Sequence, residues 1–163
     1  MAVRPKLDAT ERVVRAITDA EWDKKNGRIS PSLFANSNVS VSRLSVFSLR
    51  LLVEIFHRDF DRPTRIVNGV GVIAVGELNR IGQHHKDKPV SLTVEAAPEK
   101  NNEAHAEIPE RITRGLANKI VDALQKHDAE KSSTQWAGVL GQQFLIWTWR
   151  RGEILSKRIR SFS

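Results

Sequence analysis

The residues best suited to chemistry in this chain are His105 and Glu107, in the stretch Asn101-Asn-Glu-Ala-His-Ala-Glu-Ile108. An imidazole that titrates near neutrality beside a carboxylate is the pair that general acid–base catalysis draws on. Two residues apart, they point to one side of an extended chain. The stretch reads as a polar loop between a sheet and a helix, and loops on rigid scaffolds are where functional groups concentrate. A loop histidine merely hydrogen-bonded to backbone is the competing reading. Arg15, on an expected first strand, supplies a cation, and Ser40 opens Ser40-Val-Ser-Arg43. If Arg15, Ser40 and His105 converge, they form a polar pocket suited to an anion such as a phosphate.

Several other chemistries are excluded by what the chain lacks. It has no cysteine, which removes disulfides, thiol nucleophiles, zinc ribbons and iron–sulfur clusters. His105-Ala-Glu107 has the spacing of the zinc deaminase signature, but those enzymes also need a Pro-Cys-x-x-Cys element. His84-His85 with Asp87, and His57-Arg-Asp59, do not make closed ligand sets, so neither a metal nor a cofactor is expected. Gly69, Gly71 and Gly76 fall inside an apolar run instead of opening a helix, which excludes a dinucleotide loop. No nucleophile elbow or phosphate-binding Walker loop is present.

The formal net charge of +7 is unevenly placed. Arg150, Arg151, Lys157, Arg158 and Arg160 stand against Glu153 alone, a local +4 at the C-terminus. This tail follows Trp136, Trp147 and Trp149. Basic residues can track a phosphate backbone while an aromatic ring stacks on a base. Trp147, Trp149 and the five cations are therefore candidates for contact with nucleic acid or a larger protein complex. A solvated tail that aids solubility is the plainer account.

The elements that must position these residues follow from periodicity. Residues 11–18 read as a strand with Val13 and Arg15 on one face and Val14 and Ala16 on the other. Trp22 anchors a polar turn or short helical piece ended by Gly27, and Val39-Ser-Val-Ser42 is a short alternating stretch. From Arg43 to Asp59 the spacing of Leu44, Phe47, Leu51 and Ile55 predicts an amphipathic helix capped by Ser42 or Ser45. Residues 65–76 are β-branched on both faces and predict a central strand. Residues 81–89 read as a hairpin loop, and Val90 to Ala96 as a strand antiparallel to the central one. Pro109 or Thr113 opens a helix lined by Ile112, Leu116, Ile120 and Leu124. Lys126 to Ser133 reads as a charged linker, and Thr134 to Trp149 is ambiguous between helix and strand.

The order implies an α+β fold, a small mostly antiparallel sheet packed with two to three helices. With 163 residues, residues 1–149 form one such domain and 150–163 a basic tail. No apolar signal core or membrane-length segment interrupts it, so the expected location is cytoplasmic, with no membrane partner.

Arg15…Trp22…Phe34…Ser40-Val-Ser-Arg43 loosely resembles the opening of ADP-ribosyltransferase-like domains. There a first-strand arginine or histidine and a serine-bearing strand cradle the substrate, so the resemblance implies an enzyme. The three segments Arg15 to Arg43, His105 to Ile108 and Arg111 to Leu124 together resemble a group of small uncharacterised bacterial proteins. That resemblance implies a bacterial source, with a defence or mobile-element context, but no activity. Three readings therefore stand together. The first is a binding or adaptor domain acting through the basic tail. The second is an enzyme on a phosphate-containing substrate, ADP-ribosyltransferase-like or a nuclease, using His105, Glu107 and Arg15. The third is a structural subunit, or a homo-oligomer, held through Trp147 and Trp149.

Overall fold

The computed structural model describes residues 4–86 and 88–129. Trp136, Trp147, Trp149 and the cations of residues 150–163 lie outside the described residues. The fold is α+β: three helices pack on a six-stranded antiparallel sheet, and a separate two-stranded hairpin completes it. The chain runs β1 (Arg12–Thr18), β2 (Trp22–Asp23), β3 (Arg28–Ile29), a short 3-10 turn (Pro31–Leu33), β4 (Val39–Arg43) and α1 (Leu49–Phe60). Then follow β5 (Val67–Ala74), α2 (Val75–Gln83), β6 (Glu95–Ala96), β7 (His105–Ile108), α3 (Arg114–Ala123) and β8 (Gln125–Asp128). The sheet order is β6-β7-β4-β1-β5-β8.

Strand alternation divides the sheet into two faces. On one, Val13, Ile17, Val41 and Ile73 pack with Leu78 of α2 and with Leu116 and Ile120 of α3. On the other, Val14, Val70 and Val72 meet Leu52, Val53 and Phe56 of α1. β5 is apolar on both faces, as its β-branched run predicts, but it lies between β1 and the edge strand β8 and not at the centre of the sheet. Gly69 is required there: a Cβ would lie 2.6 Å from the His127 carbonyl oxygen of β8 and collide with the Trp22 ring.

Caps fix the helix starts. Ser48 accepts a hydrogen bond from the Leu51 N–H and begins α1, in place of the expected caps Ser42 and Ser45, so the helix starts later than its apolar spacing predicts. Residues 43 to 48 instead turn away from β4, held by Arg43 and Ser45 on the Glu11 carboxylate. Thr113 caps α3 through the Leu116 N–H, as expected.

Other expectations are corrected as well. His105–Ile108 is a strand, not a loop, paired on both sides with β4 and β6. Of residues 90–96 only Glu95–Ala96 is strand, and it pairs with β7 instead of β5. Residues 75–83 are helical where the sequence suggested strand and loop. The edge strand Gln125–Asp128 on β5 takes in the start of the expected linker, which was to begin at Lys126. Trp22 and its neighbours form a β-hairpin, with Gly27 at φ 63° in its turn.

Candidate functional site: a cleft where the sheet divides

β1 and β4 are hydrogen-bonded neighbours for a short distance only. Their register covers Val13↔Arg43 and Val14↔Ser42. Beyond that point β1 continues along β5 as far as Thr18↔Val67, while β4 continues along β7 as far as Val39↔Ile108. The two strands therefore part, and a cleft of about 530 Å³ opens over the division. Its floor is Val14, Ala16 and Thr18 of β1 with Ser40 and Ser42 of β4. Small and hydroxyl side chains at these positions leave the room that Val and Ile fill on the opposite face.

Arg15 shares the strand parity of Val13 and Ile17, yet its guanidinium ends in the division. It donates to the Ser40 carbonyl through Nη1 and sits 5.6 Å from the centre of the fully buried Phe34 ring. Ser40 points that carbonyl toward β1, where the missing ladder would have used it. Arg15 Nε is sealed from solvent and has no hydrogen-bond partner. No carboxylate lies within ion-pair distance of Arg15 among the described residues. Burial pulls its pKa below the ordinary arginine value, the charge of Glu21 pulls it back up, and Arg65 pushes it further down. Glu21 is committed elsewhere: it accepts from the Thr18 N–H at 3.0 Å and from the Thr18 hydroxyl, and Arg65 reaches it at 3.5 Å.

The opposite wall is the turn between β6 and β7. Asn102 donates to the Ser42 hydroxyl oxygen at 3.1 Å, and Arg58 of α1 holds the Asn101 carbonyl at 3.3 Å. His105 is Ser42's cross-strand partner and lines the same cleft. Its Nδ1 lies 2.7 Å from the Ala97 carbonyl oxygen and 3.6 Å from a Glu99 carboxylate oxygen. A carbonyl only accepts, so Nδ1 carries the proton, and in the neutral ring Nε2 is left as an acceptor. α1 supplies the third wall, with Phe56, Asp59 and Phe60. Phe60 is 39% exposed there. Asp59 is held by two hydrogen bonds from Arg58, which lower its pKa. At the mouth Asn38 adopts φ 52°, a left-handed conformation uncommon outside glycine and often found at working sites.

Arg15, Ser40 and His105 thus line one cleft. Glu107 does not: it projects to the same side of β7 as His105 but is taken by Arg4 in an ion pair. Glu21, Arg65, Glu99 and Asn102 carried no signal in the sequence, because turns bring them in. Among the described residues no group of histidines and carboxylates is placed to hold a metal, and no helix is long and apolar enough to cross a membrane. Protein-family models, curated proteins and solved structures offer no match to this chain.

Proposed function

We propose that this protein binds a small phosphate-bearing ligand in the cleft between β1 and β4, with Arg15 as its anchor. One observation carries the reading: a guanidinium with a sealed Nε that is unpartnered, and with no carboxylate partner among the described residues, sits in a cleft large enough for a metabolite. Enclosing a charge without a counter-charge costs free energy. A ligand anion supplies that counter-charge, and the planar guanidinium fork matches phosphate oxygens. The amides of Asn36, Asn38 and Asn102 around it suit a ligand that also carries hydroxyl or amide groups.

Ligand-induced thermal stabilisation tests this. Cyclic adenosine monophosphate and dimethyl phosphate raise the unfolding temperature of the wild-type chain in a concentration-dependent way. A ligand at one hundred times its Kd contributes about 2.7 kcal/mol. Arg15→Gln abolishes the shift. Absence of a shift with every phosphate-bearing probe overturns the reading.

A second reading rests on charge alone. The +4 segment after Trp147 and Trp149 suits a nucleic-acid strand or an acidic partner. Replacing Arg150, Arg151, Lys157, Arg158 and Arg160 with Gln in the full chain abolishes salt-sensitive binding of a single-stranded oligonucleotide. Unchanged binding overturns it.

A further inference from the structure

We infer that the cleft is catalytic toward phosphodiesters, with His105 as its general base and Glu99 as the residue that positions it. This rests on the reading of Arg15 as a phosphate anchor, and adds the ligand's class and its fate. Three observations meet here. The Ala97 carbonyl fixes the proton on Nδ1 at 2.7 Å, so the neutral ring offers Nε2 as a base. The Glu99 carboxylate stands 3.6 Å from that same Nδ1 and is 63% exposed, while the His105 side chain is 10% exposed. A carboxylate behind the protonated nitrogen orients the ring and favours the imidazolium that forms when Nε2 takes a proton. His105 and Arg15 also line the same cleft, from strands on either side of β4.

Charge selects the ester. The lining carries Arg15 and Arg65 against Glu21, Asp59 and Glu99. Arg65 is paired with Glu21 and Asp59 with Arg58, which among the described residues of the lining leaves the cation Arg15 and the carboxylate of Glu99 beside His105. Beside the Glu99 carboxylate a phosphodiester monoanion meets less repulsion than a phosphomonoester dianion, and its single charge matches that of Arg15.

The step balances without any further reagent. Arg15 holds the non-bridging oxygens. His105 Nε2 takes a proton from water as its oxygen bonds to phosphorus. The phosphorus–oxygen bond to one ester group breaks, and that oxygen takes the proton back from the imidazolium. One water is consumed, and a phosphomonoester and an alcohol are released. Arg15 also opposes the charge that builds on phosphorus oxygens in the transition state.

The test uses the full chain and two probes. Dimethyl phosphate reports binding, and bis(p-nitrophenyl) phosphate reports turnover as released p-nitrophenolate. Expected are turnover by the wild type, a loss of about 100-fold or more in His105→Gln with dimethyl phosphate still bound, and about tenfold lower kcat with unchanged KM in Glu99→Gln. Nitrogen-15 shifts of the His105 ring in the folded protein show Nδ1 protonated and Nε2 bare. Turnover that survives His105→Gln, no turnover by a wild type that binds dimethyl phosphate, or a ring protonated on Nε2 overturns the catalytic inference and leaves the binding reading standing. No binding of dimethyl phosphate by the wild type overturns both. A cyclic nucleotide and a short single-stranded oligonucleotide, compared by kcat/KM, then separate a small diester from a nucleic-acid strand as the source, and cleavage of either supports the inference.

Discussion

The two faces of the sheet are built from the same strands and do different work. Toward α2 and α3, β1 and β4 present Val13, Ile17, Val39 and Val41, all buried, and the space closes. Toward α1 the same strands present Ala16, Thr18, Ser40 and Ser42, and a cleft stays open. Alternation with period two lets one strand pair serve both purposes, since successive side chains go to opposite faces. The exception is Arg15, which has the parity of the closed face and places its charge in the division between the strands. Both faces carry buried apolar packing, but only the open face also leaves a cleft lined by hydroxyl, amide and charged groups.

The largest loss of stability is expected on the closed face. Phe34→Ala removes a fully buried ring and costs about 3–5 kcal/mol, measurable as a lower urea midpoint. Because that ring also underlies Arg15, ligand affinity falls with it. If Phe34→Ala leaves stability unchanged, the closed face is not the core. Next comes Gly69→Ala, which forces a Cβ against the Trp22 ring and the His127 carbonyl and costs about 1–3 kcal/mol. On the open face Phe60→Ala, at 39% exposure, lowers stability by about 1 kcal/mol or less. A cost equal to that of Phe34→Ala would erase the contrast.

The smallest effect is a pH dependence where the two strands are still joined. Arg43 donates two hydrogen bonds to Glu11, at 3.1 and 3.0 Å. Those bonds hold the Glu11 carboxyl below its ordinary pKa, against the opposing effect of burial, with Ser45 assisting. A pKa depressed in the folded state contributes stability that is complete above the unfolded value, about 4.3, and is lost as pH falls through the folded one. Acid titration of the unfolding free energy therefore steepens below that value in the wild type and flattens in Glu11→Gln. An identical acid slope in both would remove Glu11 from the account.

How legible these faces were differs for physical reasons. β1, β5, α1 and α3 announced themselves because each carries enough apolar residues to show its period. α2 did not, since it follows β5 directly. Its N-cap Ala74 makes no side-chain capping bond, and Gly76 and Gly82 interrupt its stripe. β7 has four residues, too few to separate a strand from a loop, and its place depends on register with β4. Arg15, Ser40 and His105 were singled out by residue type, and the structure lines one cleft with them. The expected partner Glu107 was chosen by spacing, which gives the side of a strand but not what else occupies it. Arg4 does. Glu99, which faces His105, comes from a turn whose position depends on β6–β7 pairing.

The central claim is that Arg15 serves a ligand and not the fold. Arg15→Met keeps an unbranched stem as far as the position of Nε while removing the guanidinium, its charge and its stacking over Phe34. Thermal unfolding of this variant with and without dimethyl phosphate tests the claim directly. The predicted result is an unfolding temperature close to that of the wild type without ligand, because the half-buried charge removed has no ion-pair partner among the described residues, and no stabilisation when ligand is added. A variant that unfolds several degrees lower and still responds to dimethyl phosphate as the wild type does would contradict it.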